Sequence, residues 1–580
     1  MIILGISAFF HDSSAALIKD GNLIAAVEEE RFTRKKHDME FPIKSIEYCL
    51  KEADISIDKV DYIAFYEKPI LKFDRILNQF IDSFPKGFLA FNKAMPSWIS
   101  EKLRIRRIVK KKLKFKGKIF FIEHHLAHAA SSYLVSPFNE SVILTLDGVG
   151  EWASSTHGYA KGNDIYLEKE IKFPHSLGLL YSAVTAFLGF KVNSGEYKVM
   201  GLSAYGKPKY YDKFKKIIDI KEDGSFALDM SYFEYNYKMS MFNKKFIEEF
   251  GHARKSDGEM TQEYKDIAAS LQKITEEIVF KILNNLHNKY KIDNLCIAGG
   301  VALNSLANGK ILINTPFKRI FIQPAAGDGG TSVGAAFYVY NTLLKNKKVF
   351  VLDNAYLGPK FNTNEVESFL EKNKIKYKKF SSNEELVKKT SELIFNNNVV
   401  GWFQGRMEFG PRALGSRSIL SNACNQKMQD ILNLKVKHRE KFRPFAPAIC
   451  EDDAVKYFEC DIPIPYPTDF MLMVYPIKEK YREKIPAVTH VDGTGRLQTV
   501  RKSQNELYYN LIKEFGKLSG IPILINTSFN IRGEPIVCTP YDAYKCMMGT
   551  GIDYLVMDKF LIKREDNKQD IWDSEKYAKD

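Results

Sequence analysis

The sequence predicts an α/β protein with a duplicated first half and a separate domain in the second half. Two hairpin segments repeat at a constant spacing, glycine-rich turns adjoin strand-like apolar runs, and a segment with three histidines has helical composition. With 580 residues, 45% of them hydrophobic, the chain is long enough for two or three packed cores. We place the domains at 1–355 and 356–580, where the Gly-Pro turn of "NAYLGPKF" marks a boundary.

The repeat consists of "LGISAFFHDSSAALIKDGNLIAAVEE" and "LTLDGVGEWASSTHGYAKGNDIYLEKE". Each segment predicts a strand, a polar loop with Ser-Ser, a second strand, a Gly-Asn turn and a third strand. At an offset of 141, the residues Ser13, Ser14, Gly21, Asn22, Ile24 and Glu29 match Ser154, Ser155, Gly162, Asn163, Ile165 and Glu170. Two lobes that each begin with such a hairpin are typical of actin-like ATPases, which bind nucleotide between the lobes. Chance similarity of short hairpins is the alternative.

Composition indicates the setting of the protein. Seven cysteines lie apart without a C-x-x-C pair, which favours a reducing cytoplasm over a disulfide framework or a zinc ribbon. We expect neither a signal peptide nor a membrane span, because no apolar run is long enough. The net charge of +14 suits nucleic acid, phosphorylated ligands or an anionic glycan. The densest basic run, at 101–118, predicts an amphipathic surface helix, with a polyanion-docking face as the alternative.

The segment "FIEHHLAHAASSYLV" at 121–135 contains the candidate metal ligands. In a helix, His124 and His128 share a face at i,i+4, and His125 and His128 share one at i,i+3. Either pair can present nitrogen ligands to a metal, while a polar helix surface is the alternative. Asp147, after the strand-like "SVILTL", and Asp328, in "AAGDGG", add carboxylates or are simply turn residues. Two histidines and two aspartates suit Fe(II), Mn(II) or Zn(II) with open coordination positions.

Two further patterns indicate anionic ligands. Glycine clusters at 146–150, 194–206, 297–309 and 323–336 adjoin apolar runs, so their amides could bind phosphate near helix starts. The C-terminal half concentrates arginines, whose guanidinium groups match phosphate geometry, although a surface ion pair is the alternative for any single one. The arginines in this region are Arg406, Arg412, Arg417, Arg439 and Arg443.

The chain resembles the NodU/CmcH carbamoyltransferase family. The resemblance spans nearly the whole chain and is carried by "GISAFFHDSSAALIKDG", "HHLAHAASSY", "GEYKVMGLSAYG", "GGVALN", "FQGRMEFGPRALGSRSIL", "KHREKFRPFAPAI" and "NTSFNIRGEPIV". It implies an N-terminal actin-like (ASKHA) domain similar to the TsaD-type tRNA threonylcarbamoyl transferases. It also implies an α+β, YrdC-like C-terminal domain that makes an acyl adenylate.

The resemblance assigns roles to individual residues. His124, His128, Asp147 and Asp328 would bind the metal, which is iron in similar proteins, and His125 would turn away. The nucleotide contacts would be Glu196, Lys198, Gly299, Gly300 and Asn304. The K-x-R and S-x-N signatures of YrdC-like domains would correspond to Lys437 with Arg439 and to Ser528 with Asn530. Further contacts to carbamoyl phosphate or ATP are expected from Arg412, Arg417, Arg443, Arg496 and Asn526.

The resemblance further implies a two-step reaction. In the C-terminal domain, carbamate released from carbamoyl phosphate would be adenylated by ATP with Mg(II), and carbamoyl adenylate would then move internally to the N-terminal cleft. There an acceptor hydroxyl would attack the carbamoyl carbon at the metal site. We expect His11 and Asp12 to accept the hydroxyl proton and to hold the acceptor, because imidazole titrates near neutral pH. An Asx-type turn at "HDSS" is the alternative.

Two other functions stay open at this point. One is a tRNA-modifying enzyme, favoured by the net charge and the TsaD-like half, and the other is a non-catalytic actin-like ATP-binding protein. The motif "GRMEFGPRALG" and the fused C-terminal half favour the small-molecule family. We therefore expect a small-molecule or glycan acceptor and neither a nucleic acid nor a membrane partner. The identity of the acceptor and the formation of a homodimer are left open.

Overall fold

The computed structural model describes residues 1–440 and 442–567, which form two compact units. The first unit comprises Met1–Ala26 and Met39–Leu352, and the second comprises Val27–Asp38 and the chain from Asp353 onward. Segment 27–38, which the sequence analysis placed in the first domain, thus belongs to the second unit. None of the helices in the described ranges is long and apolar enough to cross a membrane.

Two five-stranded sheets of the same topology form the core of the first unit. The first sheet has the order β3-β2-β1-β4-β5 and the second has the order β12-β11-β6-β7-β8. In each, an antiparallel three-stranded meander is extended at its first strand by two parallel strands. The strands of the first unit, including the small β9-β10 hairpin, are β1 (Ile2–Ser7), β2 (Ser14–Lys19), β3 (Asn22–Glu28), β4 (Tyr62–Phe65), β5 (Lys118–Phe121), β6 (Glu140–Leu146), β7 (Ala153–Lys161), β8 (Asp164–Lys172), β9 (Ile218–Ile220), β10 (Phe226–Leu228), β11 (Asn294–Ala298) and β12 (Arg319–Phe321).

The repeated hairpins of the sequence are the two meanders. Ser14 pairs with Ser7 at the open end of the first hairpin, and Ser155 pairs with Leu146 at the corresponding place in the second. Gly21 and Gly162 adopt positive φ values of 81° and 59° in the tight turns, a conformation that glycine adopts without steric cost. The predicted α/β class is confirmed.

Close packing through a second helix connects the histidine helix to the first sheet. The helices are α1 (Glu30–Thr33), α2 (Ile43–Glu52), α3 (Pro69–Ser83), α4 (Phe88–Ser100), α5 (Ile105–Leu113), α6 (His124–Tyr133), α7 (Leu177–Phe187), α8 (Glu196–Ser203), α9 (Tyr211–Ile217), α10 (Lys244–Phe250), α11 (Gln262–Tyr290), α12 (Ser305–Asn314) and α13 (Thr331–Phe337). Helix α13 packs on both α6 and β1. A Cβ on Gly334 would lie 1.9 Å from the Ala127 carbonyl oxygen, and one on Gly5 would lie 1.9 Å from that of Ser332. Glycine is therefore required at both contacts.

A nine-stranded mixed sheet forms the second unit, with the order β13-β21-β20-β14-β15-β19-β16-β18-β17. Its strands are β13 (Lys378–Lys379), β14 (Val400–Phe403), β15 (Arg417–Asn422), β16 (Ala446–Cys450), β17 (Met473–Pro476), β18 (Thr494–Val500), β19 (Ile523–Ser528), β20 (Tyr554–Met557) and β21 (Phe560–Lys563). Its helices, besides α1, are α14 (Thr363–Lys372), α15 (Asn383–Phe395), α16 (Lys427–Ile431), α17 (Glu451–Tyr457), α18 (Glu479–Arg482), α19 (Glu506–Ser519) and α20 (Pro540–Met548). Apolar residues of α15 and α19 bury Trp402 and Leu420 of the central strands.

Candidate functional site

The histidine segment forms helix α6, as the sequence predicts, and a buried carboxylate holds its first turn. Both oxygens of Glu151 lie 3.0 Å from the backbone nitrogen of His124, and one oxygen also accepts the N–H of Lys68 at 2.8 Å. A negative charge at this end is favourable because the helix dipole places partial positive charge there. Glu151 thereby fixes the position of the first histidine.

Four predicted metal ligands converge in the first unit. Nε2 of His124 lies 3.1 Å from Oδ2 of Asp147, 3.1 Å from Nε2 of His128 and 3.6 Å from Oδ1 of Asp328. Nε2 of His128 lies 3.3 Å from Oδ1 of Asp328 and 3.9 Å from Oδ2 of Asp147. The four ligand atoms all lie within 4.8 Å of one another, and all four side chains are buried.

This donor set fits a transition-metal ion. Metal–ligand bonds of about 2.1 Å at angles of about 90–110° separate adjacent donors by about 3.0–3.4 Å, close to the distances in the cluster. Within the ranges that the structure describes, neither oxygen of Asp328 has a hydrogen-bond partner, although the carboxyl is fully buried. Buried carboxylate oxygens without donors are costly, and a bound cation would satisfy them. The mixed nitrogen and oxygen ligands suit Fe(II), Zn(II) or Mn(II).

Electrostatics in the cluster match this interpretation. Burial alone lowers the pKa of His124, but the carboxylates of Asp328 and Asp147 outweigh it and raise the pKa to about 9. Burial raises the pKa of Asp147, yet the His124 hydrogen bond and the neighbouring imidazoles hold it well below its usual range. The pKa of Asp328 is lowered as well, because His11 and His124 outweigh the opposing effects of burial and Asp147. Both carboxylates are therefore ionised, and a bound cation could replace the protons that the neighbouring imidazoles hold.

His125 points away from the cluster. Its Nδ1 lies 2.7 Å from Oγ1 of Thr145, and its Nε2 lies 2.8 Å from the carbonyl oxygen of Ala153. Burial, reinforced by the charges of His124 and His128, lowers the pKa of His125 to about 3. The neutral ring thus ties α6 to the β6-β7 hairpin, and the pair that shares the cluster is His124 with His128.

The predicted catalytic pair lies beside the cluster. His11 and Asp12 occupy the loop between β1 and β2, and Nδ1 of His11 lies 3.1 Å from Oδ2 of Asp12. Nε2 of His11 lies 3.9 Å from Oδ2 of Asp328. Burial lowers the pKa of His11, but Asp328 and Asp12 more than compensate and raise it to about 10. The imidazole is therefore coupled directly to a candidate metal ligand.

The predicted nucleotide contacts of the first unit lie in several local networks. The Glu196 carboxylate accepts Ser182 Oγ at 2.8 Å and caps the turn before α8, and Lys198 lies over the Phe190 ring at 5.5 Å. The Asn304 amide caps α12 and exchanges two hydrogen bonds with Gln272. The contact of these residues with nucleotide stays a prediction.

One glycine amide of this group reaches the cluster. The N–H of Gly300 donates to Oδ1 of Asp147 at 3.0 Å, which orients the carboxylate so that Oδ2 faces the histidines. Gly299 before it has φ 96°, and a Cβ there would lie 2.1 Å from the Leu146 carbonyl oxygen. Glycine is thus required beside the end of β6, directly before Asp147.

The K-x-R and S-x-N signatures lie together in the second unit. Nζ of Lys437 donates to the carbonyl oxygens of Ser528 and Asn530 and, at 2.9 Å, to Oδ1 of Asn530. Oγ of Ser528 donates to the same Oδ1 at 2.6 Å. Burial, with the charges of Arg439 and Arg443, holds the pKa of Lys437 well below its usual range. Nε of Arg439 donates to Oδ1 of Asn433 at 2.8 Å.

The other predicted contacts of this unit have different surroundings. The Arg417 guanidinium is fully buried and donates to the carbonyl oxygens of Gln404, Ser416, Pro359 and Gly405. The Asn526 amide donates to Ala413 and Gln498. Arg443 forms an ion pair with Glu440 at 2.7 Å, whereas Arg412 and Arg496 are partly exposed. Arg417 and Asn526 therefore support the loop 404–417, and their predicted ligand contacts stay predictions.

The sequence analysis missed a group of charged residues next to the histidines. Lys72 forms an ion pair with Glu67 at 2.6 Å and lies over the Phe10 ring, which packs on His11. Arg75, on the same helix, is buried, and its Nε and Nη1 have no hydrogen-bond partner in the described part of the chain. Lys72 and Arg75 lie three residues apart in α3, and this spacing of two cations on a buried face could have indicated the group from the sequence.

The fold and the site define a two-part α/β enzyme, and comparison with known proteins identifies its family. The family model of the carbamoyltransferase N-terminus matches residues 2–337, and that of the carbamoyltransferase C-terminus matches residues 391–564. The chain belongs to the carbamoyltransferase family, so it is a carbamoyltransferase rather than a non-catalytic ATP-binding protein.

Individual relatives match this chain over most of its length. An uncharacterized protein of Synechocystis sp. is 47% identical, with 97% of this chain and 96% of the relative covered. Nodulation protein NolNO of Sinorhizobium fredii is 37% identical, with 98% and 81% covered. Among solved structures, HypF of T. kodakarensis has a TM-score of 0.29 at 13% identity, with 58% and 48% covered, which is too low to support an argument.

Proposed function

We propose that this carbamoyltransferase is an ATP-dependent O-carbamoyltransferase that uses carbamoyl phosphate. The second unit would form carbamoyl adenylate, and the first unit would transfer the carbamoyl group to a hydroxyl of a small-molecule or glycan acceptor. The convergence of His124, His128, Asp147 and Asp328 is the observation that carries this proposal, since these four side chains could hold a metal ion in a carbamoyltransferase. In this proposal the first unit is actin-like, as its paired sheets suggest, and the second is YrdC-like.

Adenylate formation depends on an amine and a guanidinium that are held in place before the ligand arrives. The Lys437 amine lies between Ser528 and Asn530, and the Phe445 ring lies under the Arg439 guanidinium at 4.8 Å. Because the pKa of Lys437 is low in the free protein, an arriving phosphate would favour its protonation and gain a charge-assisted contact. In this step water cleaves carbamoyl phosphate to carbamate and phosphate. A carbamate oxygen then attacks the α-phosphorus of ATP with Mg(II), and pyrophosphate leaves.

Transfer requires an acceptor oxygen, a carbamoyl carbon and a proton acceptor. The acceptor oxygen forms a bond to the carbamoyl carbon, the bond from that carbon to the AMP oxygen breaks, and the hydroxyl proton passes to His11. Asp12 holds the His11 ring through its Nδ1 contact. A metal ion bound by the four-residue cluster would supply Lewis-acid stabilisation of the leaving phosphate.

The protonation state of His11 sets a condition on this role. With the bare Asp328 carboxylate nearby, the pKa of His11 is about 10, so the ring holds a proton at neutral pH. A base must be neutral, and a cation held by Asp328 would offset the carboxylate charge that retains the proton. His11 is therefore competent as a base only when the carboxylates of the cluster are neutralised.

A metal analysis combined with product analysis tests the proposal. The purified chain should contain one Fe, Zn or Mn ion per chain, and it should form AMP and a carbamate ester from ATP, carbamoyl phosphate and a hydroxylated acceptor found in a sugar and aminoglycoside screen. Asp328→Asn should abolish both the metal and the ester. A fully active wild-type protein without bound metal would refute the proposed site.

A further inference from the structure

The helical hairpin of α3 and α4 exposes large apolar side chains along its length. Ile70, Leu77 and Ile81 lie at i, i+7 and i+11 on one face of α3, and Ile70 and Ile81 are 75% and 61% exposed. At the turn and the start of α4, Phe84 and Leu89 are 64% and 81% exposed. Several large apolar side chains exposed on one hairpin are typical of an interaction surface.

A dense positive charge follows this hairpin directly. Between Glu101 and Glu123 the chain contains ten Lys or Arg residues and no acidic residue. Helix α5 buries Ile105, Val109 and Leu113, so its cations project from the opposite side. An open groove of about 690 Å³ is lined by Leu103, Arg104, Arg106, Arg107, Lys110 and Lys111.

The two features adjoin each other. On α4, Phe88 and Ile99 are 47% and 56% exposed, and the short turn Lys102–Arg104 packs against both α3 and α4 before α5 begins. The exposed apolar residues of this region thus end at Leu103, next to Arg104, which is the first cation of the groove. We call the exposed residues of 70–89 together with the cations of 104–111 the hairpin surface.

We propose that the hairpin surface docks on an anionic lipid bilayer. Acidic headgroups complement the cations of α5, and exposed Phe, Ile and Leu side chains can enter the boundary between headgroups and acyl chains. A nucleic acid would use the cations but leave the apolar stripe in water. A second copy related by a two-fold axis would bring the cations of one chain toward those of the other, and like charges are disfavoured there.

Docking of this kind needs no membrane-spanning helix. The expectation of no membrane partner rested on the lack of a spanning segment, whereas contact at the bilayer surface uses side chains on short amphipathic helices. The hairpin surface contains none of the residues of the metal cluster or the adenylation site. The inference is therefore independent of the proposed catalytic steps.

Vesicle cosedimentation tests the charge component. The wild-type chain should sediment with vesicles of equal parts phosphatidylcholine and phosphatidylglycerol, but not with phosphatidylcholine alone, and raised ionic strength should weaken binding. Each cation near an anionic surface contributes about fivefold, so the triple variant Arg107→Gln, Lys110→Gln, Lys111→Gln should bind on the order of a hundredfold more weakly. Pyrophosphate release dependent on carbamoyl phosphate should be unchanged.

A control triple variant of the same net charge separates the effect of cations on the hairpin surface from the effect of the net charge of the protein. Lys221→Gln, Lys244→Gln and Lys291→Gln remove three exposed lysines elsewhere in the first unit and should change binding less than about fivefold. Equal losses in both triple variants would show that net charge alone drives binding and would overturn the proposal. Absence of wild-type binding to the anionic vesicles would also overturn it.

The apolar component distinguishes the bilayer from other partners. Phe84→Ser with Leu89→Ser should weaken vesicle binding about tenfold or more, because two exposed apolar side chains no longer insert. Tighter binding to an RNA duplex than to vesicles, insensitive to this double variant, would overturn the proposal in favour of nucleic acid. Light scattering that shows a wild-type dimer broken by the double variant would overturn it in favour of a second copy.

Discussion

Exchanging either of two adjacent histidines for the same residue should separate metal binding from packing. In His124→Gln the cluster loses a nitrogen that lies 3.1 Å from both Asp147 and His128. In His125→Gln it loses none, because that ring contacts Thr145 and Ala153. Glutamine is a poor metal ligand but retains hydrogen-bonding groups, so the two variants are matched.

The expected magnitude follows from the number of ligands. Structural zinc sites bind with about 10–16 kcal/mol, and division over four ligands gives about 2.5–4 kcal/mol for each. At about 1.4 kcal/mol per tenfold, His124→Gln should weaken metal binding about 60- to 700-fold. His125→Gln should change metal affinity less than about threefold while lowering the free energy of unfolding by about 1–3 kcal/mol, because two buried hydrogen bonds are perturbed.

Competition against a chromophoric chelator measures metal affinity, and urea unfolding measures stability. Both assays should use the full chain at fixed pH, because metal binding competes with protonation of the ligands. If His125→Gln lost metal as severely as His124→Gln, the assignment of the ligand pair would be wrong.

Three further predictions follow from the same geometry. Lys437→Met should slow pyrophosphate release about tenfold or more while leaving metal content unchanged, since a charge-assisted phosphate contact is lost; a normal rate would remove this residue from the adenylation site. Gly150→Ala places a Cβ 2.9 Å from Cδ2 of His125 and 3.0 Å from Cδ2 of His124. This variant should therefore lower the free energy of unfolding by about 1–3 kcal/mol and weaken metal binding, whereas the control variant Gly148→Ala should do neither. Equal melting temperatures for the two variants would contradict this prediction. Burial raises the pKa of Asp469 to about 6, against the opposing effect of Arg501. The folded state therefore holds a proton that the unfolded state has lost between about pH 4 and 6. The stability that this proton contributes is lost as the pH rises through that window. Asp469→Asn should therefore gain up to about 3 kcal/mol relative to wild type in urea unfolding between pH 4 and 7, and a difference independent of pH would refute the assignment.

The parts of the site that sequence could predict depend on local spacing. His124 and His128 share a face because four residues nearly complete one helical turn, and Asp147 could be placed at the end of a strand. Helical periodicity alone favours the pair of His125 and His128 as much as the pair of His124 and His128. The contacts of His125 with Thr145 and Ala153 decide between the pairs, and these involve residues at least 20 positions away.

Other features depend on contacts that spacing does not reveal. Composition treats Arg417 and Arg439 alike, but Arg417 donates to backbone carbonyls, including that of Pro359, whereas Arg439 contacts the Asn433 amide and the Phe445 ring. Segment 27–38 follows a hairpin of the first unit yet belongs to the second, where Arg31 donates to the Gly410 carbonyl at 2.8 Å. The repeat predicted the hairpins but could not show at which residue the chain passes from the first unit to the second.

The central claim is that metal-dependent transfer and adenylate formation occur in different units. The most direct test incubates His128→Gln with ATP and carbamoyl phosphate and measures pyrophosphate, carbamoyl adenylate and bound metal in the same sample. We expect no bound metal, near-normal pyrophosphate release and accumulation of carbamoyl adenylate detectable by mass spectrometry. A folded, metal-free His128→Gln protein that releases no pyrophosphate would contradict the division of labour between the two units.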